Sequence, residues 1–146
     1  MPYTFKLEAL RKFREFEEER MQKEFSEAQR KRDEAAQRVA DQVALRQRTE
    51  QEFAEKQDGS AASLAAMYRS FLQRLSEEID VLQQKLMVAE KACEKKRQEL
   101  LEAMKNRKAL DRLKEKGEQN YQEDQNRDEG KFIDEIAINR FMLKRR

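Results

Sequence analysis

The side chains here that could do chemistry are one cysteine, Cys93, and thirty acidic residues set among thirty-two basic ones, with no histidine at all. A catalytic thiol needs a base to hold it as thiolate, and without histidine the commonest base and metal-ligating ring are both missing. Three isolated glycines cannot build a phosphate-cradling loop, and no GxxxxGK[ST] occurs. The carboxylates are spread along the chain with no concave pocket to perturb them. No catalytic, metal-binding or cofactor-binding residue is expected, no cofactor, and no enzyme.

Nor do the charges form a nucleic-acid footprint, which is usually a concentrated basic face. The net charge is +2 and the signs are interleaved. Glu8–Lys12, Glu19–Lys23, Glu27–Lys31, Glu34–Arg38 and Glu52–Lys56 stand four residues apart in the favourable order, each worth about 0.2–0.5 kcal/mol to a helix. That is a solvated helical surface laced with weak pairs.

The elements that must carry such a surface are visible in its apolar residues. From Tyr68 to Leu110, alternating steps of four and three give Tyr68, Leu72, Leu75, Ile79, Leu82, Leu86, Ala89, Cys93, Lys96, Leu100, Ala103, Arg107 and Leu110. Such a repeat predicts one long helix seeking a helical partner along a narrow seam. It makes Cys93 a small packed hydrophobe rather than a reactive thiol. A chain that is 42% charged would otherwise suit disorder, but sustained heptads in an Ala/Glu/Lys/Leu/Arg-rich sequence point to a thin, elongated coiled coil.

The partner lies upstream. Between a possible N-cap at Thr4 and Lys56 there is no proline or glycine, and a sparser seam runs through Met21, Phe25, Ala28, Ala35, Val39 and Phe53. Arg32, Gln42, Arg46 and Thr49 fill its remaining positions. Leu10 and Phe13 fit only with a stutter at 13, 17, 21 and 25, which predicts less regular packing in the first turns. Gln57-Asp58-Gly59-Ser60 is the clear break, with Gly59 closing one helix and Ser60 capping the next.

So short a connection makes the helices antiparallel neighbours. One register satisfies both seams: Phe53 on Tyr68, Gln42 on Ile79, Val39 on Leu82, Ala35 on Leu86 and Ala28 on Cys93. Continued, it sets Leu10 near Leu110 and Thr4 opposite Gly117. The expected fold is all-α, a long antiparallel two-helix coiled-coil hairpin forming a single domain over residues 1–146. Helix 1 spans about 4–57, the turn 58–60 and helix 2 about 61–117.

Two apolar groups fall outside the seam. Leu64, Met67 and Phe71 widen the stripe near the turn, together with Leu75 and Leu82, and either cover the turn or form a binding patch. Met87, Val88, Leu101 and Met104 read as scattered surface. Beyond Gly117 an apolar-poor stretch leads to Phe132, Ile133, Ile136, Ala137, Ile138, Phe141 and Met142, a cluster with no partner in the hairpin. Residues 118–143 either fray or continue helix 2 as an overhang, and such an end is a candidate docking helix. No signal-peptide core is present, and no run approaches the roughly 18 apolar residues that span a bilayer. The expected location is cytoplasmic, at most peripheral to a membrane through other proteins.

Tyr3-Thr4-Phe5-Lys6-Leu7-Glu8-Ala9-Leu10, Tyr68-Arg69-Ser70-Phe71-Leu72-Gln73-Arg74-Leu75 and Asp134-Glu135-Ile136-Ala137-Ile138-Asn139-Arg140 resemble the FliJ family of the bacterial flagellar type III export apparatus. The resemblance implies a coiled coil similar to that of rotary ATPase gamma subunits. It implies association with the hexameric export ATPase FliI and the export gate protein FlhA, with some members also binding export chaperones. By position it implies an export-gate interface at Phe71 and Leu75, with Leu82 on its continuation and Glu78 interrupting the face; Leu64 and Met67 of the stripe near the turn complete the expected gate interface. It places Phe132, Ile133, Asp134, Glu135 and Arg140 at the ATPase end, and with Leu7, Leu10 and Ile136 these make up the expected ATPase interface. A monomer in isolation is expected. The equivalent stalk of a virulence type III secretion system and a self-associating structural coiled coil are the alternatives.

Overall fold

The computed structural model describes residues 2–56 and 62–145. They form two α-helices, α1 over Glu8–Glu55 and α2 over Ala62–Arg145. The expected break at Gln57-Asp58-Gly59-Ser60 lies outside the described residues. Helix α1 starts at Glu8 rather than near Thr4: the Glu8 N–H donates to the Phe5 carbonyl at 3.2 Å, and an acidic first turn suits the positive end of the helix. Helix α2 does not fray after Gly117. It continues through Gly130 to Arg145.

The chain packs as two compact units, Glu19–Leu101 and Met1–Glu18 with Glu102–Arg146. In the first, every seam position expected on α2 from Tyr68 to Leu100 is buried or half-buried, as is every one on α1 from Met21 to Phe53. Leu75, Ile79, Cys93 and Leu100 form its buried core. The Phe53 and Tyr68 rings meet at 5.3 Å between centroids, Arg32 Nη1 lies 3.6 Å from Cys93 Sγ, and Lys96 pairs with Glu24 at 3.4 Å. Residues rising along α1 meet residues falling along α2, so the helices are antiparallel in the expected register.

Polar seam residues in this unit are handled differently from one another. Thr49 is buried and its hydroxyl donates to the Leu45 carbonyl at 2.8 Å. Gln42, opposite Ile79, has its side-chain oxygen buried with no hydrogen-bond partner. An orphaned acceptor of this kind costs about 1–3 kcal/mol.

The second unit corrects the stutter. Phe13 is 52% exposed and Leu10 is also outside the core. Glu8, Arg11, Arg14, Glu15, Glu17 and Glu18 are half-buried, and of these Arg11, Arg14 and Glu18 continue the frame of Met21 and Phe25 without an inserted step. Charges occupy this part of the seam because α2 answers them. Lys114 pairs with Glu8 at 3.3 Å, Glu8 with Arg11 at 2.6 Å, Arg11 with Asp111 at 3.4 Å and Asp111 with Arg107 at 2.7 Å; Arg107 closes the chain on Glu18. Ala103 and Leu110 supply the apolar layers between them.

Tyr3 finishes the unit. Its hydroxyl stands over Gly117, where a Cβ would collide with it, and its ring meets Tyr121 at 5.7 Å between centroids. A mid-helix glycine costs about 1 kcal/mol relative to alanine. Here it makes the notch that receives the segment before α1.

Two outcomes test this packing. Gln42→Leu removes the orphaned acceptor and should raise unfolding stability by about 1 kcal/mol; a loss in urea titration would show that the oxygen is satisfied. Arg11, through its hydrogen bond, holds the Glu8 carboxyl down at about 2 from an ordinary 4.5, with partial burial opposing and Lys114 assisting. A depressed carboxylate stabilises the fold above its unfolded pKa, and that contribution fades as pH falls from about 4.5 to about 2. The melting temperature should drop across this window, modestly because the pair is partly solvated. Glu8→Gln should flatten that drop; an unchanged acid profile in the variant would contradict the assignment.

Candidate interaction surfaces

Two exposed apolar surfaces stand out, one in each unit. In Glu19–Leu101, α2 sets Leu64, Met67 and Phe71 on one side of the helix at steps of three and four, outside the seam. With Tyr68, Ser70 and Arg74 they line a shallow depression of about 450 Å³. The Arg74 guanidinium sits 5.9 Å from the Phe71 ring centroid, a cation–π contact that keeps the ring's flank polar. Glu78, one turn beyond Arg74, is exposed. The depression suits a partner that brings an apolar side chain and an anionic group together.

Not all of the expected face is available. Leu75 is 3% exposed and belongs to the core, so its side chain cannot touch a partner without the helices parting. Leu82 is half-buried in the seam. The heptad that puts both on the α1 side of α2 is what removes them from the surface.

In the other unit the end of α2 carries the second surface. Phe132, Ile133, Ile138, Phe141, Met142 and Leu143 are exposed, Ile136 less so, with Asp134, Glu135 and Arg140 exposed among them. At 100° per residue these apolar side chains point in nearly every direction around the axis. An α-helix apolar on all sides is normally a buried one. Unlike a seam helix, this segment calls for cover all round.

Leu7 and Leu10 are exposed, but the structure does not gather them with that segment. They flank Glu8 and Arg11, which bind Lys114 and Asp111. Phe132 lies about 30 Å further along α2 at roughly 1.5 Å per residue. The expected ATPase-facing residues therefore form two separate stretches.

The charged network between the helices was missed at the sequence level. Its signal was present: Arg11 and Glu18 on one strand of the register stand against Asp111 and Arg107 on the other, opposite in sign. A search for apolar periodicity passes over such pairs. The Arg107 guanidinium is held charged even more firmly than usual, chiefly by its hydrogen bond to Glu18. Among the described residues no acidic or cysteine cluster is placed to hold a metal ion, and no helix is long and apolar enough to cross a membrane.

No curated protein and no solved structure matches the chain. A family does: the one described as flagellar FliJ protein, over residues 3–146. Antiparallel helices in the expected register, the apolar terminal helix and a match across essentially the whole length agree, and the chain belongs to the FliJ family of flagellar export apparatus components.

Proposed function

We propose that this chain is a non-catalytic stalk and coupling component of flagellar type III export. It binds the hexameric export ATPase FliI through the end carrying both termini and the gate protein FlhA near the helix-connecting end. It promotes ring assembly and ATPase activity. The observation that carries this reading is the terminal segment of α2, helical yet apolar and exposed around its whole circumference. A helix of that kind fits a protein-lined pore, where neighbours surround it. A flat docking surface would cover one side only.

Phe132, Ile133 and Ile136 supply the apolar contacts in the ring, and Asp134, Glu135 and Arg140 fix its orientation through ion pairs. Leu7 and Leu10 meet the outer rim. Leu64, Met67 and Phe71 form the gate-facing patch. A single asymmetric helix inside a sixfold ring cannot contact all subunits equally, so it biases which of them hydrolyse. Attachment to the cytoplasmic face of the membrane is then indirect, through gate and ATPase, and export chaperones are further partners.

The test is ATPase turnover of purified FliI with the full chain and with a chain ending at residue 131. Full-length protein should raise turnover and ring formation, and the shortened chain should do neither while still binding FlhA. Met67→Asp with Phe71→Ala should show the reverse pattern. A full-length chain that neither binds the ATPase nor changes its turnover would overturn the proposal.

A further inference from the structure

In the unit that holds the termini, the residues before α1 continue the pairing by other means. Tyr3 and Phe5 are half-buried, while Pro2, Thr4 and Lys6 around them are exposed. Alternation of that kind marks an extended segment lying with one side against a surface. Tyr3 identifies the surface, since its hydroxyl overlies Gly117 and its ring meets that of Tyr121. Leu110, Lys114, Gly117 and Tyr121 follow one another at steps of four, three and four. The segment therefore occupies the seam of α2 where α1 no longer does.

Its hold is slight. Lys114 pairs with Glu8 at 3.3 Å, and past that pair no hydrogen bond or ion pair among the described residues joins residues 2–7 to α2. Tyr3 is held by the fit of its ring into the glycine notch and against Tyr121. A tie made by one side chain opens far more readily than a seam of several layers.

The helix on the other side of the contact shows what the tie does. From Glu118 to Lys144 every residue of α2 is exposed except Tyr121 and Gly130. Gln125 donates a hydrogen bond to the Tyr121 hydroxyl at 2.9 Å, so Tyr121 is gripped from its own helix as well as by Tyr3. A helix with no packed face frays inward from its free end until a tertiary contact stops it. The Tyr3–Tyr121 contact moves that stop outward from Lys114 by about two turns, or about 10 Å.

We propose that residues 2–7 form a releasable strap that sets how far the rigid, paired part of α2 extends. Seated in the notch, the strap carries rigidity to Tyr121. Lifted, it bares the seam at Gly117 and Tyr121 and lets α2 open back to Lys114. Gly117 then has two opposed effects: as a glycine it weakens the helix, and as a notch it admits the ring that steadies it. None of this depends on the export ATPase or the gate, so the strap and the proposed function fail independently.

Hydrogen exchange of the full chain tests the strap at the amides of residues 118–125, whose helical bonds cross these two turns. Tyr3→Ala should speed their exchange several-fold and leave residues 75–93, in the other unit, unchanged. Gly117→Ala should change sign with its background. In the Tyr3→Ala chain it should slow exchange by roughly fivefold, the ordinary preference for alanine over glycine in a helix. With Tyr3 present it should not slow exchange, because the added methyl takes the place of the tyrosine hydroxyl and evicts the strap. In chains labelled with fluorotyrosine, that eviction should shift the Tyr3 and Tyr121 fluorine resonances together and leave that of Tyr68 in place. Equal slowing by Gly117→Ala with and without Tyr3, or fluorine resonances that do not move, overturns the proposal. So does exchange at residues 118–125 that is indifferent to Tyr3→Ala.

Discussion

A helix whose apolar side chains repeat every seven residues cannot hide them alone, and α2 meets that constraint with α1 as its cover. Narrow seams give modest burial per residue, so no layer is dispensable in the way a residue of a globular core can be. Leu75, Ile79, Cys93 and Leu100 are the side chains of α2 that this pairing seals in the first unit. Alternation of large against small across the pair sets the register, and the register decides which residues remain for partners.

The unit containing the termini uses a different device. There the seam residues of α1 are charged, and among the described residues the buried apolar side chains are Ala103 and Leu110. The alternating chain of Lys114, Glu8, Arg11, Asp111, Arg107 and Glu18 replaces it. Ion pairs that are partly solvated add little to stability individually, but they penalise any slipped alignment by setting like charges together. Specificity of register, more than strength, is what this network contributes. It also leaves Phe13 and Phe16 at the surface, an exposure that apolar patterning alone would not predict.

Much of this was legible in the sequence, and the failures share one cause. The α2 seam, the α1 seam from Met21 to Phe53 and the antiparallel pairing could be read because apolar spacing encodes them directly. The stutter at Phe13 was a misreading: it gave priority to two apolar side chains over Arg11 and Glu18, whose suitability for the seam depends on Asp111 and Arg107 of the other helix. Leu75 was offered to a partner for the same reason, since one periodic list served as both core and surface. Whether residues 118–145 fray or stay helical could not be decided from composition, because polar, glycine-containing sequence is compatible with both.

The antiparallel pairing can be tested by a single cross-link. In a Cys93→Ala background, Val39→Cys with Leu82→Cys should oxidise within one chain at dilute concentration, because the register sets these positions face to face and a disulfide tolerates little separation. The product should migrate under denaturing conditions with the mass of one chain. Cross-linking only between chains, or no cross-link while the helices remain folded, would contradict the fold on which the rest is built.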